Sequence, residues 1–271
     1  MSNAPIKLQR NDDILCSAGR GRRSKMACLA CALSHNNECG YDYALLNALF
    51  SDKERTGVHV TDLTGCLRRA YYEKMDGALE HPHEMLARFV GTAVHGFIEQ
   101  FPSEHLDSEL PLSLDGLEGT ADVVYKNGTI VDFKTTRWMK INNLPYGSHA
   151  KQVNVYAAML RAQGREVNRA YIQYVDLSGP SKCTTCKGPL APGSDGVMVC
   201  QRCTKINPNA HTGAHLVEIE LEPEGMIAEW IETRKRILDL ALEAEQTPEA
   251  EASFLCDYCA FREQCYAEDA G

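Results

Sequence analysis

In Asp132-Phe133-Lys134 a carboxylate and an ammonium stand two residues apart, the spacing that puts both on one face of a β-strand with the ring on the other. Asp122 closes the preceding stretch Gly119-Thr120-Ala121-Asp122, and Asn127-Gly128 between the two runs is a hairpin signal. Pairing across that turn gathers two carboxylates and one ammonium. Hard carboxylate oxygens hold Mg2+ or Mn2+, which polarises a phosphodiester and lowers the pKa of water. Lys134 beside them would position that water and offset charge building on the phosphorus oxygens. A solvated edge strand explains D-x-K better when the motif is taken alone, so the neighbouring segments must decide.

His95 follows Gly91 by one helical turn, in a run whose apolar positions (Phe89, Ala93, Val94, Phe97, Ile98, Phe101) predict an amphipathic helix over 88–101. It is a candidate metal ligand or a structural histidine. Gln152 and Tyr156 share one face of a helix predicted over 147–163, within reach of a phosphate or base.

The chain has twelve cysteines, a disulfide framework only in an oxidising compartment. The opening residues lack the apolar stretch of a secretory signal and no run is long enough to span a bilayer. A cytoplasmic chain without a membrane partner is expected, and metal is then the better use of the thiols. Cys183-x2-Cys186 and Cys200-x2-Cys203 have the spacing of a structural zinc ribbon. Cys16, Cys28, Cys31 and Cys39 are less regular; they suit zinc, with His35 able to replace a thiolate, or free thiols. Cys256, Cys259 and Cys265 supply three thiolates and want a fourth, for which Cys66 is the unassigned candidate; an iron-sulfur cluster and zinc both fit.

Taken in order, Gly91-x3-His95, the G-x-x-D ending at Asp122, Asp132-x-Lys134 and Gln152-x3-Tyr156 resemble the RecB-like PD-(D/E)XK nucleases. The resemblance implies a restriction-endonuclease-like α/β core, a central mixed sheet flanked by helices. It also implies His95, Asp122, Asp132 and the Phe133 carbonyl as Mg2+ or Mn2+ ligands, Lys134 as catalytic, and Gln152 and Tyr156 on a DNA-contacting helix. The segment around Thr61-Asp62-Leu63, Cys66, Arg68-Arg69 and Tyr71-Tyr72, with the last three cysteines, is similar to the CRISPR-associated iron-sulfur (Cas-four type) exonucleases. That likeness implies a [4Fe-4S] cluster on Cys66, Cys256, Cys259 and Cys265, and exonuclease action on single strands or DNA ends, including 5′ to 3′. CRISPR integration proteins or recombination proteins are the implied partners. Leu67 departs from the family, which commonly has proline there.

Three segments are expected: a Cys-rich appendage and helix over 1–55, a nuclease core over 56–177 and 214–271, and an inserted ribbon over 178–213. In the core, Thr61 or Asp62 should cap a helix reaching about residue 75, and strands are predicted over 107–114, 118–125, 129–135, 166–177 and 214–221. The insertion, rich in Gly, Pro and Cys, has no apolar period and needs metal to fold. A formal charge of -9 looks wrong for a DNA-binding chain, but residues 218–271 carry 4 Lys+Arg against 15 Asp+Glu, which localises the excess. Arg68 and Arg69 are candidate backbone contacts. A DNA- or protein-binding module on a silent nuclease fold is the competing function; the complete carboxylate, lysine and histidine set argues against it.

Overall fold

The structure, a computed structural model, describes residues 12–34, 39–51, 57–193 and 197–269; His35, the alternative ligand, lies outside them. The chain divides into two compact units, one comprising residues up to Thr92, Gly116–Glu118 and Glu229 onward, the other Ala93–Asp115 and Gly119–Ala228.

In the first unit a short hairpin, β1 (Asp13–Leu15) and β2 (Arg22–Ser24), leads into α1 (Lys25–Leu33), which Ser24 caps by accepting the Ala27 N–H at 3.1 Å. Asp42 caps α2 (Tyr43–Phe50) in the same way. Ile14, Cys28 and Ala32 pack with Leu46, Leu49 and Met85 into a small apolar core. The appendage is therefore held by apolar packing that includes Met85 from outside it, beyond what its thiols would supply.

β3 (Val58–His59) runs into α3 (Val60–Thr64), and α4 (Leu67–Met75) follows after a break at Gly65-Cys66. The expected cap is corrected: His59 occupies that position, while Asp62 sits inside the first turn, taking the His59 N–H and the Lys74 ammonium at 2.8 Å each. Helix α4 is stapled to the chain's end, Arg68 donating to the Pro248 carbonyl (2.7 Å) and the Tyr72 hydroxyl to Glu268 (2.8 Å). α5 (Pro82–Glu99) overlaps the helix that the apolar period predicts over 88–101 but begins six residues earlier and ends before Phe101. Its stripe is less buried than that period implies, since Phe97 and Phe101 are 61% and 64% exposed.

The second unit is built on a mixed sheet. β4 (Leu106–Leu114) pairs with β5 (Leu117–Tyr125), whose first two residues belong to the first unit and run parallel to β3. β6 (Thr129–Thr136) is antiparallel to β5 and parallel to β7 (Arg169–Asp176), and β11 (Ala214–Ile219) closes the edge antiparallel to β7. The β5–β6 turn depends on Gly128, which has φ +82 and where an added Cβ would lie only 3.0 Å from Asn168 Nδ2 and from the Glu166 carbonyl oxygen. α6 (Gly147–Ala162), the β6–β7 crossover, buries Val153, Val155, Met159 and Leu160. The insertion makes its own three-stranded sheet from β8 (Leu190–Pro192), β9 (Met198–Cys200) and β10 (Ile206–Asn207). α7 (Glu224–Ala244) and α8 (Arg262–Asp269) complete the chain. No helix among the described residues is long and apolar enough to cross a membrane.

Candidate active site and metal centres

Two strands and one helix converge on a cluster of hard ligands. One ligand atom each from His95, Glu109 and Asp122 lies within 4.8 Å of the others. His95 Nδ1 is 3.2 Å from Glu109 Oε1 and 3.3 Å from Asp122 Oδ1. The Asp122 and Glu109 carboxylates together push His95 up to about 10, overcoming its partial burial, so the imidazolium proton neutralises charge that a cation would otherwise neutralise. Asp122 is aimed by the neighbouring strand, because its Oδ2 accepts the Phe133 N–H at 2.6 Å.

Asp132 is 1% exposed; Oδ2 faces the Lys134 ammonium at 3.0 Å, and Oδ1 has no hydrogen-bond partner. Burial drives the Asp132 carboxyl well above the usual range against the pull of Lys134, and Asp122 adds to the rise. A buried carboxylate with one oxygen lacking a donor, near the Asp122 carboxylate and the His95 imidazole, is the environment that a divalent cation relieves. The donor set fits such an ion.

Glu109 escaped the sequence reading. It lies within β4 at φ +47, a conformation rare for a non-glycine, which interrupts the alternation that would have assigned its face. His149 was also missed. It takes or gives a hydrogen bond with the Tyr174 hydroxyl at 3.1 Å, and burial, helped by the charge of Lys134, lowers it to about 4. A neutral imidazole thus stands near the lysine, on a tyrosine that is Lys134's register partner in β7.

Gln152 and Tyr156 lie on one face of α6, both buried, with the Gln152 amide donating to the Tyr156 hydroxyl at 2.8 Å. Arg68 is buried, with Nη1 3.5 Å from Cys265 Sγ; Arg69 is more exposed and pairs with Glu73 at 2.8 Å.

Cys183, Cys186, Cys200 and Cys203 close into one group, with Sγ separations of 3.6, 3.5 and 3.6 Å for Cys183–Cys203, Cys186–Cys200 and Cys186–Cys203. A tetrahedral ion with metal–sulfur bonds of about 2.3 Å sets that edge at about 3.8 Å. The insertion is a metal-binding appendage by this fit. The Cys186 N–H, above all, pulls the Cys183 thiol below its ordinary value, and the Cys203 N–H does the same for Cys200, so both favour the ligating thiolate.

The remaining two sets are looser and do not reach that 4.8 Å spacing among the described residues. Cys66 caps α4, Cys256 lies in the 3-10 turn Phe254–Tyr258, Cys259 follows it, and Cys265 is on α8. Burial first, then proximity to Cys66 and Cys256, raises the Cys259 thiol against its bond from the Phe261 N–H. Burial, then Cys39, Cys16 and Cys31, pushes Cys28 up to about 11, so these four thiols are neighbours as well.

No curated protein matches the chain. Among solved structures it is similar to SSO0001 (TM-score 0.47, 17% identity, covering 89% of this chain and 95% of that one). The alkaline exonuclease LHK-Exo from Laribacter hongkongensis gives 0.40 and 12%, covering 79% and 95%. A phage related exonuclease from Haemophilus somnus 129PT gives 0.41 and 12%, covering 70% and 96%. The model of the PD-(D/E)XK nuclease superfamily matches residues 104–266, more than half of the chain, from the approach to β4 into α8. That span holds Glu109, Asp122, Asp132 and Lys134 on the mixed, helix-flanked sheet of this fold, and the chain belongs to the PD-(D/E)XK nuclease superfamily.

Proposed function

We propose that the protein is a divalent-metal-dependent deoxyribonuclease acting as an exonuclease on single-stranded DNA or DNA ends. The convergence of His95, Glu109 and Asp122 beside the buried Asp132–Lys134 pair carries this reading. Mg2+ or Mn2+, held by His95, Asp122, Asp132, the Phe133 carbonyl and Glu109, would polarise the phosphodiester and acidify nearby water. The Phe133 N–H turns toward Asp122, and in extended backbone the carbonyl of the same residue leaves on the same side.

Lys134, partly exposed and anchored on Asp132, brings a fixed positive charge to the phosphate oxygens and can donate to the attacking water. His149, kept neutral by burial and by the charge of Lys134, adds no second positive charge there, and its bond to Tyr174 holds its ring in place. Gln152 and Tyr156 brace the helix behind the site by their mutual bond, and Arg69 is the more accessible arginine for a DNA backbone.

A [4Fe-4S] cluster on Cys66, Cys256, Cys259 and Cys265 would join α4 to the chain's end. Zn2+ is proposed for the ribbon and for Cys16, Cys28, Cys31 and Cys39. Trimming DNA before CRISPR integration, and end processing in recombination or repair, are the settings that the sequence resemblance implies.

The test is hydrolysis of end-labelled single-stranded DNA with Mn2+ by wild type, Lys134→Ala and Asp122→Ala. Cleavage by wild type, lost in both variants, is expected. Unchanged cleavage in the variants rejects this site.

A further inference from the structure

Immediately after the catalytic strand the chain turns a tryptophan outward. Trp138 is 78% exposed at φ +56, while the next side chain, Met139, is buried. A bulky residue in the left-handed region persists only where its surroundings over-determine it. Here they do. The Trp138 N–H donates to Asp176 Oδ1 at 3.2 Å and to Ser178 Oγ at 3.3 Å, and the Met139 N–H donates to Asp176 Oδ2 at 2.6 Å. Asp176 is itself fixed by the Ser178 N–H (2.8 Å) and hydroxyl and by His211 Nε2 (3.2 Å). His211 Nδ1 accepts the Gly213 N–H at 3.1 Å, which leaves Nε2 as the donor to Asp176. Farther along, the Asn142 amide donates to Asn209 at 2.7 Å. Ser178, Asn209 and His211 all belong to the base of the insertion.

Arg137 and Lys140 flank Trp138 in the sequence, both exposed and neither with an ion pair among the described residues. Trp138 is four residues beyond Lys134, a reach of at most about 14 Å. An exposed aromatic ring with a basic residue just before it and another two positions after it in the chain, one short run from the proposed catalytic lysine, matches the chemistry of an unpaired nucleotide: a flat base to stack and phosphates to neutralise.

Resting on the nuclease reading above, we propose that Trp138 is a nucleobase-stacking platform for single-stranded DNA entering or leaving the site, with Arg137 and Lys140 contacting its phosphates. The base of the inserted ribbon is the brace that keeps the ring outward.

The protein's only other tryptophan is Trp230, so Trp230→Phe makes Trp138 the sole indole reporter. In that full-length protein, carrying Lys134→Ala to prevent cleavage, an oligothymidylate should quench the fluorescence saturably. An abasic oligomer of equal length should bind through its phosphates without that quench. Separately, Trp138→Ala should weaken binding of labelled oligothymidylate about 5- to 150-fold, with Trp138→Phe recovering much of the loss. An unquenched indole at saturating oligothymidylate, equal quenching by the abasic strand, or unchanged affinity of Trp138→Ala overturns the platform while leaving the nuclease reading standing. A wild-type protein that neither binds nor cleaves DNA overturns both.

Discussion

Replacing Asp176 by asparagine removes a charge and puts a donor where every partner is already a donor. One carboxylate oxygen meets the Trp138 N–H, the Ser178 N–H and the Ser178 hydroxyl; the other meets the Met139 N–H and His211 Nε2. The asparagine carbonyl will take the more crowded side, which points its NH2 at the Met139 amide and the imidazole. Two buried donors left unsatisfied cost about 1–3 kcal/mol each. No longer burying a charge returns part of that. A net loss of about 2–4 kcal/mol is expected, equivalent to roughly 5–15 °C in melting temperature for a chain near this size. Thermal unfolding read by circular dichroism gives the number, and hydrogen exchange at the Met139 amide reports locally. The pH dependence supplies a sign. Burial raises the Asp176 carboxyl, but its bonds from Ser178 and the Met139 N–H outweigh that and hold it below the ordinary value. Its stabilisation is therefore complete above an unfolded pKa of about 3.9 and disappears as pH falls through the lower folded value. The gap between wild type and Asp176→Asn should close in acid. A melting temperature within a degree of wild type near neutral pH, with Met139 exchange unaltered, would refute the brace.

Glu109→Gln should weaken Mn2+ binding about 10- to 100-fold by calorimetry; affinity within twofold of wild type removes Glu109 from the metal site. Lys134→Ala should lower the cleavage rate constant about 10²- to 10³-fold while Mn2+ binds as well or better, because the competing charge 3.0 Å from Asp132 is gone; a collapse of metal affinity instead makes Lys134 structural. Cys259→Ser should abolish the visible absorption of an anaerobic preparation, and a colourless wild type argues for zinc in that clamp. Cys200→Ser should cost one equivalent of zinc by elemental analysis and open the insertion to limited proteolysis without unfolding the central sheet; full zinc content would exclude the ribbon as its ligand set.

Where chemistry rides on regular structure, the letters were enough. Strand alternation put Asp132 and Lys134 on one face, and the Asn127-Gly128 turn brought Asp122 to the same place, because both depend only on local backbone geometry. Glu109 could not be found that way. Its positive φ breaks the period of two inside β4, so its direction comes from the backbone of one residue rather than from a pattern. Arg68 shows the converse: exposure was read from charge, yet the guanidinium is spent on Pro248 and Cys265, partners nearly two hundred residues away that no local spacing announces. The apolar spacing of α5 likewise located a helix without revealing that Phe97 and Phe101 stand exposed.

The insertion interrupts the chain between β7 and β11, antiparallel neighbours that a short turn could have joined. Its four clustered cysteines sit at the outer knuckles, but its base does something separate: Ser178, Asn209 and His211 fasten the loop that follows β6. Asp132 and Lys134 sit in mid-sheet, where pairing with β7 continues from Thr129 to Thr136, so their positions are set by the ladder rather than by the insertion. The geometry of the proposed catalytic pair and that of Trp138 therefore rest on different supports. Loosening the ribbon's base should disturb how the strand is gripped before it disturbs how a phosphodiester is cut, because the long ladder must open to move the lysine, whereas losing one buried carboxylate suffices to release the indole.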